Sequence, residues 1–306
     1  MENVINILII IFLPLLFIGI INKTKAFWGG RKGSSIFQPY FDFMKLLKKS
    51  EVISSTTSFV FIIFPLIYLA TVLVASLLVP VTNHRAFINF DGNFILFAYL
   101  MALGRFFLIA GAMDTGSSFE GMGAAREINI STFVEPAFFI LFASLGSLNG
   151  FFSFEKILEI HFINSVVFII PITIAVIIIF VMILIEGSRL PIDDPNTHLE
   201  LTMIHEVMVL DNSGPKFGLI LYAVALKMIL LTSIIANIII PNQIGFAFSL
   251  LLYFVIVFII AILIGTLESV IARFKMNRIP EFIFILTSLS LIILLFIIII
   301  INKGFI

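Results

Sequence analysis

Long apolar runs alternate with short polar ones along this chain, and the length of the apolar runs decides the class of protein. A helix needs about 20 mainly apolar residues to cross the hydrocarbon core of a bilayer. Eight stretches have that character, at 3–21, 58–80, 93–113, 132–150, 162–185, 217–240, 244–267 and 281–301. The pattern predicts an all-α, polytopic membrane protein, a single integral membrane domain over 1–306 with about eight transmembrane helices. The connections 22–57, 114–131, 186–216 and 268–280 then share one side of the membrane. The first stretch has neither the cationic start nor the small-residue cleavage site of a secretory signal, so it reads as a retained helix. Pro171 predicts a kink in the fifth.

Two connections carry further periodicity. From Pro39, the apolar Tyr40, Phe43, Met44 and Leu47 are set against Asp42, Lys45, Lys48 and Lys49 at helical spacing. This predicts a short amphipathic helix with a basic face, a lipid-headgroup anchor with Trp28 at the interface or a dock for a partner subunit. The 186–215 stretch reads EGSRLPIDDPNTHLELTMIHEVMVLDNSGP. Its prolines predict an extended start, then a helix capped by Asp194 with Pro195 in first position and a stop near Asn212 to Pro215. On that helix His198, Thr202, His205 and Glu206 share one arc.

Composition agrees with the spans and narrows the chemistry. With 306 residues, 61% of them hydrophobic and 12% charged, and a mean hydropathy of +1.21, the chain is too apolar for a soluble domain. Its 18 cationic and 18 anionic residues cancel, and no basic excess points to nucleic acid. There is no cysteine, which excludes disulfides, thiolate-held iron–sulfur clusters and a cysteine-bound nickel–iron centre within this chain. Any redox groups it serves belong to other chains.

Lys and Arg collect in the connections on one side, and cytoplasmic loops hold that excess. Lys23, Lys25, Arg31, Lys32, Lys45, Lys48 and Lys49 follow the first span, and Arg126, Arg189, Lys216, Arg273, Lys275 and Arg278 share its side. Arg85, Lys156 and Lys303 lie opposite. The count predicts a multi-pass protein of a bacterial or archaeal cytoplasmic membrane with both termini outside.

Candidate chemistry is polar groups where the surroundings are apolar. Arg105 and Lys227 fall at similar depth inside spans, about 16 Å in at 1.5 Å per residue, and intramembrane cations need a partner or water. Both predict a polar interior. Glu135 stands beside Pro136 at a span boundary, and Glu268 lies near the inner end of the seventh span. The 186–215 stretch adds Glu186, Asp193, Asp194, Glu200, Glu206, His198 and His205. His205-Glu206 lacks the following histidine of a zincin motif, and His198 and His205 are too far apart along a helix for easy joint ligation, so no metal site is expected. Two readings stand for these histidines, hydrogen bonding to neighbouring loops and proton relay. Gly116, Gly121 and Gly123 do not form a dinucleotide fingerprint.

Three stretches carry a resemblance: EGSRLPIDDPNTHLELTMIHEVMVLDNSGP, GRKGSSIFQPYFDFMKLLKK after the first span, and MDTGSSFEGMGAAREINIS followed by VEPAFF. In the same order, they resemble the membrane subunit of energy-converting, group 4 nickel–iron hydrogenases of the formate hydrogenlyase type. That subunit is similar to the quinone-chamber subunit of respiratory complex I. The resemblance implies an eight-helix subunit, itself without redox groups, in an oxidoreductase complex. Hydrogenase large and small subunits carrying [NiFe] and iron–sulfur clusters would sit on its cytoplasmic loops, with antiporter-like membrane subunits and lipid beside it. Glu135, Glu186, Asp193, Asp194, Glu200 and Glu206 would belong to an acidic path, and Arg31, Gln38, Tyr40, Arg126, Glu127 and Arg189 are docking candidates. DDPNTHLELTMIHE departs from the complex I pattern, which favours the hydrogenase branch over quinone binding. A stand-alone secondary ion transporter is the alternative of another class. Arg105 and Lys227 support it, and the concentration of polar residues on one face counts against it.

Overall fold

A computed structural model of the chain describes residues 2–82, 85–149, 153–158, 168–193, 203–241 and 244–302. Its helices are α1 (Glu2–Trp28), α2 (Gln38–Lys48), α3 (Phe59–Leu78), α4 (Asn93–Asp114), α5 (Ser118–Asn149), α6 (Phe154–Leu158), α7 (Ile169–Glu186), α8 (Gly214–Ile239), α9 (Phe246–Val270) and α10 (Ile279–Asn302). No strand occurs among the described residues. All but α2 and α6 are long and apolar enough to cross a membrane, which makes the expected 8 spans. The protein is a multi-pass membrane protein.

α8 is the axis of the bundle. It packs against α1, α2, α3, α7 and α9, and 78% of its most apolar window is buried, against 33% for α9 and α10. A helix enclosed on all sides carries small and hydroxyl residues that let neighbours approach and bond. Ser233 shares a hydrogen bond of 2.9 Å with the Tyr253 hydroxyl of α9, and Asn237 donates to the Pro80 carbonyl at 2.7 Å. Around this axis α3 pairs with α4, α5 with α10, and α1 with α9.

α2 forms where its amphipathic pattern predicts, with Pro39 in its first turn. After Trp28 the chain turns back along α1, so that the Ile36 carbonyl meets Gly19 and the Tyr40 hydroxyl bonds the Phe12 carbonyl. Phe43 stacks against Tyr222 of α8 at 5.5 Å. Partial burial pushes the Tyr40 phenol up from its ordinary pKa.

Three expectations are corrected. The stretch 114–131, read as a connection, is helical from Ser118, and α5 runs on through the span in 32 residues. Its inward positions there, Glu120, Gly123, Ala124, Glu127 and Ile130, recur at helical spacing but are partly polar, so hydropathy alone started the helix too late. Pro171 falls in the first turn of α7, where its missing N–H breaks no helical bond, and it makes no kink. The helix expected from Pro195 to a stop near Asn212 to Pro215 is absent from its described end: 194–202 lie outside the described residues, and 203–210 hold a single 3-10 turn, Glu206–Val209. Met203, Ile204, Val207, Met208 and Val209 are all buried, so this segment packs on several sides rather than along one stripe. Asp193 Oδ2 takes the N–H groups of Ile204 and His205 at 3.2 and 2.8 Å, replacing helical acceptors.

Candidate ion-pair site among the membrane helices

Arg105 of α4 organises the site. Its Nη1 lies 2.8 Å from Glu135, its Nη2 bonds Glu186, and its Nε is 3.2 Å from Glu127. One guanidinium fork thus meets carboxylates from α5 and from the end of α7, geometry that a lysine does not provide. Glu127 and Glu135 stand two turns apart on the same side of α5, which works because α5 begins early. The second oxygen of Glu186 takes Lys227 of α8 at 3.1 Å, and the Lys227 ammonium lies 4.8 Å from the centre of the Tyr68 ring on α3. Arg105 and Lys227 are both buried; the two cations at matching depth share one carboxylate.

Charge counting shows what the set lacks. Arg105 and Lys227 face Glu127, Glu135 and Glu186, so the fully ionised set holds one more negative charge than positive. An unbalanced charge in a low-dielectric interior is costly and draws a proton or another cation. The Glu135 side chain is 41% exposed, whereas those of Glu186 and Glu127 are 13% and 11%.

From Glu127 the charged groups continue toward the polar loops. His205 Nδ1 lies 3.9 Å from Glu127 Oε2, longer than a hydrogen bond. The backbone N–H of His205 is held by Asp193, whose other oxygen pairs with Arg273 at 3.0 Å. Nearby in sequence, Arg189 pairs with Glu268 at 3.3 Å, and Glu268 also takes Lys25 at 2.7 Å. The 206–209 turn closes on α5 at Gly123, where a Cβ would sit 2.3 Å from Val207. Arg126 Nη1 ties down the Met203 carbonyl.

The structure thus gathers Arg105, Lys227, Glu135 and Glu186 into one cluster and sets His205 at its edge. Glu127 and Arg189, read as docking candidates, are buried in ion pairs within the chain. Asp193 and Glu268 form separate ion-paired nodes, Arg31 is exposed, and Gln38 donates to Asp42 at 2.8 Å. Asp194, His198 and Glu200 lie outside the described residues. Sequence reasoning missed Tyr68, a polar tip inside an apolar span, and the pairing roles of Lys25 and Arg273. Among the described residues no three His, Asp or Glu side chains converge as metal ligands do.

Two cavities flank the cluster. One, of about 40 Å3, opens between α4 and α5 and reaches Arg105, Glu135, Glu186 and Lys227. The other, of about 230 Å3, lies beneath α2 between α1 and α8, with Arg189, His205 and Glu206 on its polar side.

A bundle of membrane-spanning helices around buried ion pairs defines a multi-pass membrane protein with a charged interior. The chain belongs to the family described as NADH dehydrogenase, which matches residues 1–299. It is 29% identical over 237 residues to hydrogenase-4 component C of Escherichia coli (strain K12), covering 76% of this chain and 73% of that one. Formate hydrogenlyase subunit 4 of the same organism is 26% identical over 270 residues, covering 86% and 87%. A chain of the membrane-bound sulfane sulfur reductase, an archaeal respiratory membrane complex, shares the fold with a TM-score of 0.80 at 21% identity, over 95% of this chain and 98% of that one. The resemblance read from the loops is borne out.

Proposed function

We propose that this chain is the membrane-anchoring and proton-coupling subunit of a hydrogenase-type complex, docking a soluble redox module on its loop-bearing end and linking it to the membrane through buried carboxylates. The observation that carries the reading is the succession of polar contacts from Asp193 and His205 through Glu127, Arg105 and Glu186 to Lys227. One end lies at the loops and the other in the bundle's axial helix. A shift in the 203–209 segment when a partner changes state alters the field at Glu127, and so the protonation of the set; coupling requires such a free-energy difference between states. Hydrogenase large and small subunits, bearing the [NiFe] and iron–sulfur centres, are the partners this reading assigns to the loops, with antiporter-like subunits at the flank. The Lys and Arg excess of the loops supports placing them in the cytoplasm and both termini outside.

The test is Glu186→Gln and Glu135→Gln in the assembled complex in sealed vesicles. Redox turnover is expected to persist in both while proton movement per electron pair falls. Full coupling in both variants counts against the path.

A second reading, a quinone-binding subunit of complex I type, is favoured by the cavity under α2, which pairs an aliphatic wall with polar Arg189, His205 and Glu206. Quinone-dependent turnover of the purified complex, lost on filling that cavity, distinguishes it.

A further inference from the structure

The face that α2 turns away from the bundle is apolar at one end and basic at the other. Its inner side is already packed: Phe43 stacks against Tyr222 at 5.5 Å, and a Cβ on Gly218 of α8 would sit 3.3 Å from Leu46. On the opposite side Phe37, Phe41, Met44 and Lys48 recur at helical spacing. Phe37 and Phe41 are each 58% exposed and Met44 53%, a bare apolar strip that water would penalise. Lys45 and Lys49 flank Lys48, and all three are exposed. The acids beside them are engaged elsewhere, Asp42 with Gln38 at 2.8 Å and Glu51 with Lys216 at 3.0 Å. Among the described residues no carboxylate pairs with the three lysines.

The same face is graded in depth. α2 begins where the chain has folded back to Gly19, inside α1 and away from that helix's end at Trp28. It finishes beside the start of α8, where the Val52 N–H donates to Ser213 at 3.0 Å. Its 11 residues make a helix about 16 Å long, comparable with one leaflet's half of a hydrocarbon core about 30 Å thick. The aromatic end thus lies at the depth of lipid tails and the lysine end at the depth of headgroups. A strip that is apolar below and cationic above matches a phospholipid of net negative charge, whose tails cover the rings and the thioether while its phosphate meets the ammonium groups. We propose that the outer face of α2 is a seat for anionic phospholipid in the leaflet at the loop-bearing end, with headgroups on Lys45, Lys48 and Lys49 and acyl chains over Phe37, Phe41 and Met44. A zwitterionic lipid covers the apolar part equally well but brings its own cation to the lysines, so the seat selects for charge. The inference stands on this surface alone and does not depend on the coupling reading.

Trp28 is the only tryptophan of the chain, so Trp28→Phe with Phe41→Trp leaves a single indole on that face. The full chain carrying both changes is placed in vesicles of equal parts phosphatidylcholine and phosphatidylglycerol, with bromine on the acyl chains of one lipid or of the other. Quenching of the indole then reports which lipid touches it. Phosphatidylglycerol is expected to hold the position about threefold or more in preference to phosphatidylcholine. Adding Lys45→Gln, Lys48→Gln and Lys49→Gln should abolish the preference while leaving the quenching. An indole placed instead on α9, which has no lysine, by Phe254→Trp in the Trp28→Phe chain should be quenched equally by the two lipids. Equal quenching at α2, a preference that survives the loss of all three lysines, the same preference at α9, or an indole on α2 that neither lipid quenches, as a face kept for a protein partner would show, overturns the proposal.

Discussion

Tyr222 of α8 donates its hydroxyl to the main-chain carbonyl of Ile10 on α1, 3.1 Å away, and lies equally close to that of Ile11. Ile10 is four residues ahead of Pro14, which sits inside α1 and has no N–H to offer. Lipid supplies no donor for the freed carbonyl. A side chain from the central helix therefore completes the backbone of the first, and the proline becomes a point of attachment between them.

Tyr222→Phe should accordingly destabilise the protein by about 1–2 kcal/mol, the cost of a polar group left unsatisfied in the interior. In a Pro14→Ala background the alanine N–H can bond Ile10 itself, and the same substitution should then cost much less. Thermal unfolding in detergent measures both, and equal losses in the two backgrounds would show that the hydroxyl does not serve the proline gap.

Lys227 and Glu186 make a similar point with charge. Lys227→Met leaves Arg105 alone against three carboxylates, and removing one partner of a buried pair typically costs about 3–5 kcal/mol. Adding Glu186→Gln removes the charge left over, so the double variant should recover about 0.5–3 kcal/mol relative to additivity. Strict additivity of the two losses would mean that the 3.1 Å contact carries no energy.

The helices were legible because bilayer thickness fixes their length. The cluster was legible only in part. Arg105 and Lys227 announced themselves as cations inside apolar runs, but Glu127 did not, because it lies in a stretch that looks polar throughout. Its burial emerges from the helical spacing of Glu120, Ala124 and Glu127 on α5, a period invisible to hydropathy when the inward residues are acids. The pairing of Glu268 with Lys25 and Arg189 joins the ends of two spans to a loop, and nothing local in the sequence encodes such a meeting. The 203–209 segment was misread because its apolar residues are enclosed on several sides, so no single face marked its true conformation.

Glu268, whose side chain is fully buried, accepts from Arg189 and forms an ion pair with Lys25, and so pins the segment after α7 to α1 and α9. Glu268→Ala strands two cations and should destabilise that end of the protein by about 3–5 kcal/mol, with the loss concentrated in loops rather than in α8. Hydrogen exchange of 188–193 and 203–206 should accelerate more than that of α8. Uniform acceleration would show that the triad supports the whole bundle rather than the loop.

The return of the chain along α1 depends on Gly19. A Cβ there would lie 1.9 Å from the Ile36 carbonyl oxygen, and backbone has less freedom to yield than a side-chain tip. Gly19→Ala must lift the 34–37 segment and, through it, the start of α2, working against the Tyr40 bond to the Phe12 carbonyl and the packing of Phe43 on Tyr222. Overpacking of this kind costs about 1–3 kcal/mol. Its local effect should be sharper, since α2 roofs the cavity that Leu15, Ile18 and Leu46 line. The chain has no cysteine, so Leu15→Cys introduces a single thiol at the edge of that cavity. Maleimide labelling at this thiol should be several-fold faster with Gly19→Ala than without it, and an unchanged rate would show that the roof is held independently of the Gly19 contact.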